Sequence, residues 1–170
     1  LAELTEFMPR DIAVRGEGYT MIAARPELAD ILKQCLARFT TEAEALARTR
    51  HPALLPVSRV FQHLGTSFML TPRVEGRTLA TVANSLQRLP TQEEIDKVAR
   101  PLVMGISALH ALNLVHANIG PDTILVKPGI EPLLTRPGGA RAFLAARTRT
   151  VHACVTPGYS APVLYIFDPA

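Results

Sequence analysis

The stretch 109–126, LHALNLVHANIGPDTILV, constrains the fold of this chain more than any other. A helix end at Leu109 and His110 runs into the loop Val115-His116-Ala117-Asn118-Ile119-Gly120-Pro121-Asp122-Thr123, which delivers a short apolar strand, Ile124-Leu125-Val126. The stretch overlaps a run without charge, residues 101–121. Its length approaches the ~20 residues of a membrane helix. His110, Asn113, His116, Asn118, Gly105 and Gly120 inside it are residues that a bilayer-spanning segment rarely tolerates together. A buried helix followed by a loop accounts for the run, and a membrane span is rejected.

With 170 residues and 48% hydrophobic content, the chain can bury one sizeable core or two small lobes. A charged fraction of 19% excludes an intrinsically disordered polymer. The formal net charge of +3 is small and scattered, and the aromatics do not interleave with the basic residues. Nucleic-acid binding is therefore not expected. Two cysteines, Cys35 and Cys154, form neither a disulfide framework nor a metal spacing, which suits a reducing, cytoplasmic location. His51, His63, His110 and His152 have no companions at ligand spacing, so zinc is not expected. The first residue, Leu1, implies a piece of a longer chain.

Taken in order, residues 1–7 form a candidate strand, and 9–26 read as a loop with a short strand at 19–23. Gly16 and Gly18 are read as turn formers, because a phosphate-cradling loop needs more glycines after a strand. Pro26 opens a helix to Arg48, with Leu28, Ile31, Leu32, Cys35, Leu36, Phe39, Ala43 and Leu46 stepping by three and four along one face. His51-Pro52 stops it. Strands at 54–61 and 66–71 follow, joined by a turn at 63–65, and then a short helix at 78–86. Thr91 and Glu94 form a capping box for a long helix over 92–112. Its stripe is Ile95, Val98, Leu102, Ile106 and Leu109, and Pro101 is expected to kink it. Strands at 124–127 and 131–135 come next, and a little helix is expected near 140–146.

These residues resemble the eukaryotic-type serine/threonine protein kinases, in their bacterial members. The loop fits the frame H-R-D-x-x-x-x-N followed by a strand. Glu6-Phe7-Met8-Pro9-Arg10-Asp11-Ile12-Ala13-Val14-Arg15, Arg38-Phe39 with Glu42-Ala43, Leu46-Ala47 with His51-Pro52, and Thr156-Pro157-Gly158-Tyr159 with Ala161-Pro162 carry the same resemblance. It implies an α+β, two-lobed but truncated kinase-like fold: a small antiparallel sheet with one long helix, then a mainly helical partial large lobe. The lobes are expected at 1–71 and 72–170, with Thr71 beside a hinge at 72–76, and the second ends in an activation-segment-like stretch. The Gly-rich hairpin that precedes this region in the family, and the large-lobe helices that follow it, are expected to be missing. The apolar face of the 92–112 helix is then expected to stay partly open.

The resemblance also implies which residues should work, and here the chain departs from the pattern. Thr5 stands where the family has its phosphate-holding Lys, Asn118 where it has the base Asp, and Gly120 where a Lys follows. Thr123 stands at the metal-binding Asn, Arg136 at the metal-binding Asp, and Val163 at the Glu after Ala-Pro. Loss of the base alone costs on the order of 10²–10⁴ in rate. Thr5, Asn118, Gly120, Thr123 and Arg136 together are expected to leave a pseudokinase that binds no ATP, no Mg²⁺ and no other cofactor. Such a domain would act as a protein-interaction or regulatory module, through a protein partner or self-association. The alternative is nucleotide binding, through the hinge, or residual kinase activity by a non-standard site. His116 is read as structural. Arg136, Arg141, Arg147 and Arg149 read either as a solvated segment or as a docking strip for an acidic partner. Glu42, without its Lys, is expected to pair with Arg136 across the cleft.

Overall fold

The computed structural model describes residues 1–147 and 155–165, the side chains of 163 and 164 excepted. Arg149, His152, Cys154 and the side chain of Val163 lie outside the described residues.

The first sheet has the order β1-β5-β4 and is antiparallel throughout: β1 (Ala2–Glu6), β4 (Arg59–His63) and β5 (Thr66–Pro72). Thr5 of β1 and Val60 of β4 both pair with Met69 of β5, whose side chain is buried in one cluster with Ala43 and Leu46 of the 29–48 helix. The segment expected as a loop with a short strand at 19–23 contains a second antiparallel pairing, β2 (Ala13–Arg15) with β3 (Met21–Ala23), so that strand falls on β3. Gly16 and Gly18 do form its turn, and Gly18 sits at φ +62, where a side chain would be strained. β2, three residues long with Val14 facing out, shows too little alternation to be read from sequence.

Pro26 starts a 3₁₀ turn that leads into α1 (Ala29–Arg48), and the chain leaves the helix at Thr49, before Pro52. The first half of its buried face, Leu32 and Cys35, packs on Phe7, Ile12, Ala13 and Met21. The second half, Ala43 and Leu46, joins Leu54, Val57, Met69, Leu109, Ile124 and Leu134 in a separate cluster. Burial pushes the Cys35 thiol up to about 11.

The strand expected from residue 54 begins only at Arg59. Pro56 has no amide for a ladder, and Leu54 and Val57 are buried in the core instead. The backbone of this segment bonds elsewhere: Leu55 N–H donates to Leu134 O, and Leu134 N–H to Ala53 O, at 3.0 and 2.7 Å. It thereby ties the end of α1 to the last strand.

The remaining elements are β6 (Arg77–Thr78), α2 (Leu79–Ser85), α3 (Gln92–His110), β7 (Ile124–Lys127), β8 (Glu131–Leu134), α4 (Gly139–Ala145) and α5 (Pro162–Tyr165). The strands form an antiparallel sheet, β6-β7-β8. The Thr91–Glu94 capping box is present, and α3 runs through Pro101 as one helix. Gly105 lets α3 approach the 51–54 segment, since a Cβ there would lie 3.3 Å from the His51 ring and Leu54. The other face of α3 is open: Val103 is 64% and Met104 63% exposed.

Candidate functional site

A cavity of about 390 Å³ lies between β1, β5 and α1 on one side and β7, β8 and the 135–140 segment on the other. Its apolar wall comes from Phe39, Leu46, Leu54, Met69, Leu109 and Leu134, largely the second core cluster. Of the residues singled out in the sequence, Thr5, Glu42, Thr71, His116 and Arg136 line it. Asn118, Gly120 and Thr123 are not part of the lining. Arg73 of the expected hinge and Asp122 of the loop are, as is Glu3, which nothing in the sequence marked.

Glu42 is 7% exposed, and its partner is not the one expected. Arg38 Nε donates to Glu42 Oε1 at 2.6 Å, and the Ala140 amide donates to the same carboxylate. Among the described residues no ion pair joins Glu42 to Arg136, whose residue is exposed and whose backbone is left-handed at φ +56. The reason is proximity. Arg38 lies one helical turn away, so its guanidinium reaches the carboxylate without crossing the cleft. That i,i+4 spacing was the available signal for the true pair. Burial nevertheless outweighs these donors and holds the Glu42 carboxyl above the usual carboxylate range.

α4 packs on α1 beside this carboxylate. Ala140, Leu144 and Ala145 are buried, and the first two join Leu32 and Cys35 in the first core cluster. At the head of α4 a Cβ on Gly139 would fall 2.6 Å from Glu42 Oε1, so any side chain there would require the buried carboxylate to give way.

The 116–123 loop is stitched to the chain after β8. His116 Nε2 donates to Thr135 O at 3.1 Å, Gly138 N–H to His116 O at 2.8 Å, and Asn118 Nδ2 to Arg136 O at 2.9 Å. Thr135 Oγ1 and its amide both donate to Thr123 O. The Thr123 hydroxyl closes the loop on itself, taking the Gly120 amide and lying 2.7 Å from Asn118 O and 3.0 Å from Gly120 O. Burial depresses the His116 imidazole to about 4, so the ring is neutral at physiological pH. Its Nδ1 has no partner among the described residues.

The arginines after β8 are not one free strip. Arg141 faces Asp11 at 3.7 Å, and Arg147 lies over the Phe143 ring at 3.6 Å. No group of three His, Cys, Asp or Glu side chains is placed to hold a metal among the described residues, nor is any of their helices long and apolar enough to cross a membrane.

Comparison with known proteins agrees with this geometry. The family described as Protein kinase domain matches residues 21–165. Serine/threonine-protein kinase PknL of Mycobacterium tuberculosis is 32% identical over 114 residues, 67% of this chain and 28% of that protein. Serine/threonine-protein kinase PLK4 of Drosophila ananassae is 26% identical over 125 residues, 74% of this chain and 16% of that one. This chain therefore spans under a third of the length of these relatives. Among solved structures, the apo form of PpkA-294 superposes with a TM-score of 0.75 at 26% identity, covering 95% of this chain and 58% of that one. The PknI kinase domain of Mycobacterium tuberculosis shares the fold, with a TM-score of 0.58 at 18% identity over 81% of this chain and 49% of that one. With an α+β architecture, a cleft between two sheets and a match over residues 21–165, this chain belongs to the protein kinase domain family.

Proposed function

We propose that this chain is a kinase-like domain without phosphotransfer activity, a pseudokinase, that works by binding another protein, a neighbouring domain or a second copy of itself. The observation that carries the reading is the charge of the cleft. Its lining contains Glu3, Glu42 and Asp122 against Arg73 and Arg136, and no lysine. Kinases position a nucleotide triphosphate with Mg²⁺ and a lysine and neutralise its charge. The residues here do not fit that task. The Asn118 amide is committed to Arg136 O and the Thr123 hydroxyl to its own loop, while the guanidinium of Arg136 repels a divalent cation. The exposed Val103 and Met104 on α3 support a binding role, since apolar side chains grouped on one face suit an interface. The buried Cys35, without a disulfide, suits a cytoplasmic setting.

The relatives' names favour a second reading. PknL and PLK4 are named serine/threonine-protein kinases, so nucleotide binding or residual transfer by a non-standard site is the rival. A thermal-shift titration with ATP, with and without Mg²⁺, separates the two. The pseudokinase reading expects no metal-dependent rise in Tm, and such a rise would overturn it.

A further inference from the structure

We propose that β1 is a docking edge for a second copy of this chain, the two strands pairing antiparallel across a two-fold axis. The proposal rests on the binding role above and deepens it by naming the surface and the partner.

The hydrogen bonds of β1 come first. In the 170-residue chain β1 stands at the edge of the β1-β5-β4 sheet. The Phe7 amide donates to Ser67 O at 3.0 Å and the Arg73 amide to Leu1 O at 3.3 Å. Both bonds share the register that sets Glu3 opposite Thr71 and Thr5 opposite Met69. Residues of an antiparallel strand alternate between bonding one neighbour and facing the other. The odd-numbered residues therefore bond β5, and the amides and carbonyls of Ala2, Leu4 and Glu6 point away from it. Among the described residues no strand takes them. An edge open in this way is a template for another strand.

Self-pairing selects one register. Setting Leu4 of one copy opposite Leu4 of the other brings Ala2 opposite Glu6 on either side of the axis. All three outward-pointing residues then sit in hydrogen-bonded pairs. Glu3 falls opposite Thr5, so no carboxylate faces another. The Glu6 carboxylate is already held by Arg15 of its own chain. A slip of one residue sets outward-pointing backbone against inward-pointing backbone and flips the facing side chains. A slip of two sets either Glu3 opposite Glu3 or Leu4 opposite Glu6, and each loses a bonded pair.

The side chains suit the same arrangement. Glu3, Thr5, Met69 and Thr71 line the cleft, so alternation sends Leu4, Phe68 and Leu70 to the opposite face. Leu4 is 54% exposed on that face, which also carries the Phe61 and Phe68 rings, stacked at 5.2 Å. Pairing lays Leu4 on its counterpart and makes the two apolar faces continuous. One short strand per copy is a small, isologous interface, so the dimer is weak and concentration-dependent.

The test follows the 170-residue chain by light scattering over a concentration series and by residue-resolved amide exchange. The mass should rise from monomer towards dimer. Exchange at Ala2, Leu4 and Glu6 should slow by about fivefold once the chain stands tenfold above its Kd, with Glu3 and Thr5 changing less. Leu4→Pro removes an outward amide that β5 does not use, and Leu4→Lys sets two cations face to face; each should keep the chain monomeric. A mass that stays monomeric up to ~1 mM chain overturns the proposal. So does a dimer that leaves those three amides unprotected, or one lost in Val103→Glu on α3 but kept in both Leu4 variants. The exchange pattern is read on the unaltered chain, so the test survives a variant that does not fold. A monomeric chain leaves the pseudokinase reading standing, because that reading falls only to a Mg²⁺-dependent rise in Tm with ATP.

Discussion

Arg38 Nε stands 2.6 Å from Glu42 Oε1, within one helix, and this pair rather than a cross-cleft bridge satisfies the buried carboxylate. The neutralising cation is therefore anchored to α1, and α1 carries the pair as a unit.

Arg38→Ala should destabilise the chain. It leaves a buried carboxylate with one backbone donor, but Arg38 itself is 39% exposed, so solvent screens part of the loss. A loss of about 1–2 kcal/mol is expected by urea unfolding. Arg136→Gly should instead be neutral or stabilising by up to about 1 kcal/mol, because glycine relieves the left-handed backbone at φ +56. An equal loss from the two variants would restore the cross-cleft pair.

Gly139→Ala probes the junction of α4 with α1. The new methyl would meet Glu42 Oε1 at 2.6 Å, and neither a buried carboxylate nor the head of a packed helix can yield easily. Overpacking of this kind costs about 1–3 kcal/mol. Hydrogen exchange should show faster exchange in α4 (Gly139–Ala145) with α3 unchanged.

His116 should make stability depend on pH. Its pKa in the folded chain is about 4, below the ordinary 6.5, so the unfolded chain binds a proton that the folded one refuses. The neutral ring's contribution is fully present above pH 6.5 and is lost as pH falls towards 4, amounting to roughly 3 kcal/mol at about 1.4 kcal/mol per pKa unit. Glu42 acts in the opposite sense, because burial raises its carboxyl. The comparison of wild type with His116→Gln isolates the histidine. The variant should show a flatter stability profile between pH 6.5 and 4, measured by chemical unfolding at each pH.

Thr91→Ala removes the hydroxyl that accepts the Glu94 amide at the start of α3. Loss of such a cap costs about 1 kcal/mol. For a chain of this size that corresponds to a fall in Tm of about 2–4 °C. Thr91→Ser should recover most of it.

Much of the fold was legible because local rules set it. Helical spacing marked α1, the capping box marked the start of α3, and apolar runs beside Pro128-Gly129 marked β7 and β8. The family was legible from the frame around His116, Ile119, Pro121 and Ile124, which loop geometry demands whatever the chemistry. Of the β2–β3 hairpin only β3 was legible, as the short strand at 19–23; β2 was not, because three residues carry no measurable alternation. Nor was the start of β4, since Leu54 and Val57 are apolar for the core and not for a ladder.

The residue identities in the 109–126 stretch were set by sequence alone, and with them the α+β kinase frame. What those residues do was decided by tertiary contacts. Asn118 and Thr123 became loop braces because Arg136 O, Asn118 O and the Gly120 backbone lie within hydrogen-bond reach. Glu42 took Arg38 because a partner one turn away on a rigid helix outcompetes one across an open cleft. His116 acquired its tautomer and its unpartnered Nδ1 only when folding brought Thr135 O, 19 residues away, beside its Nε2.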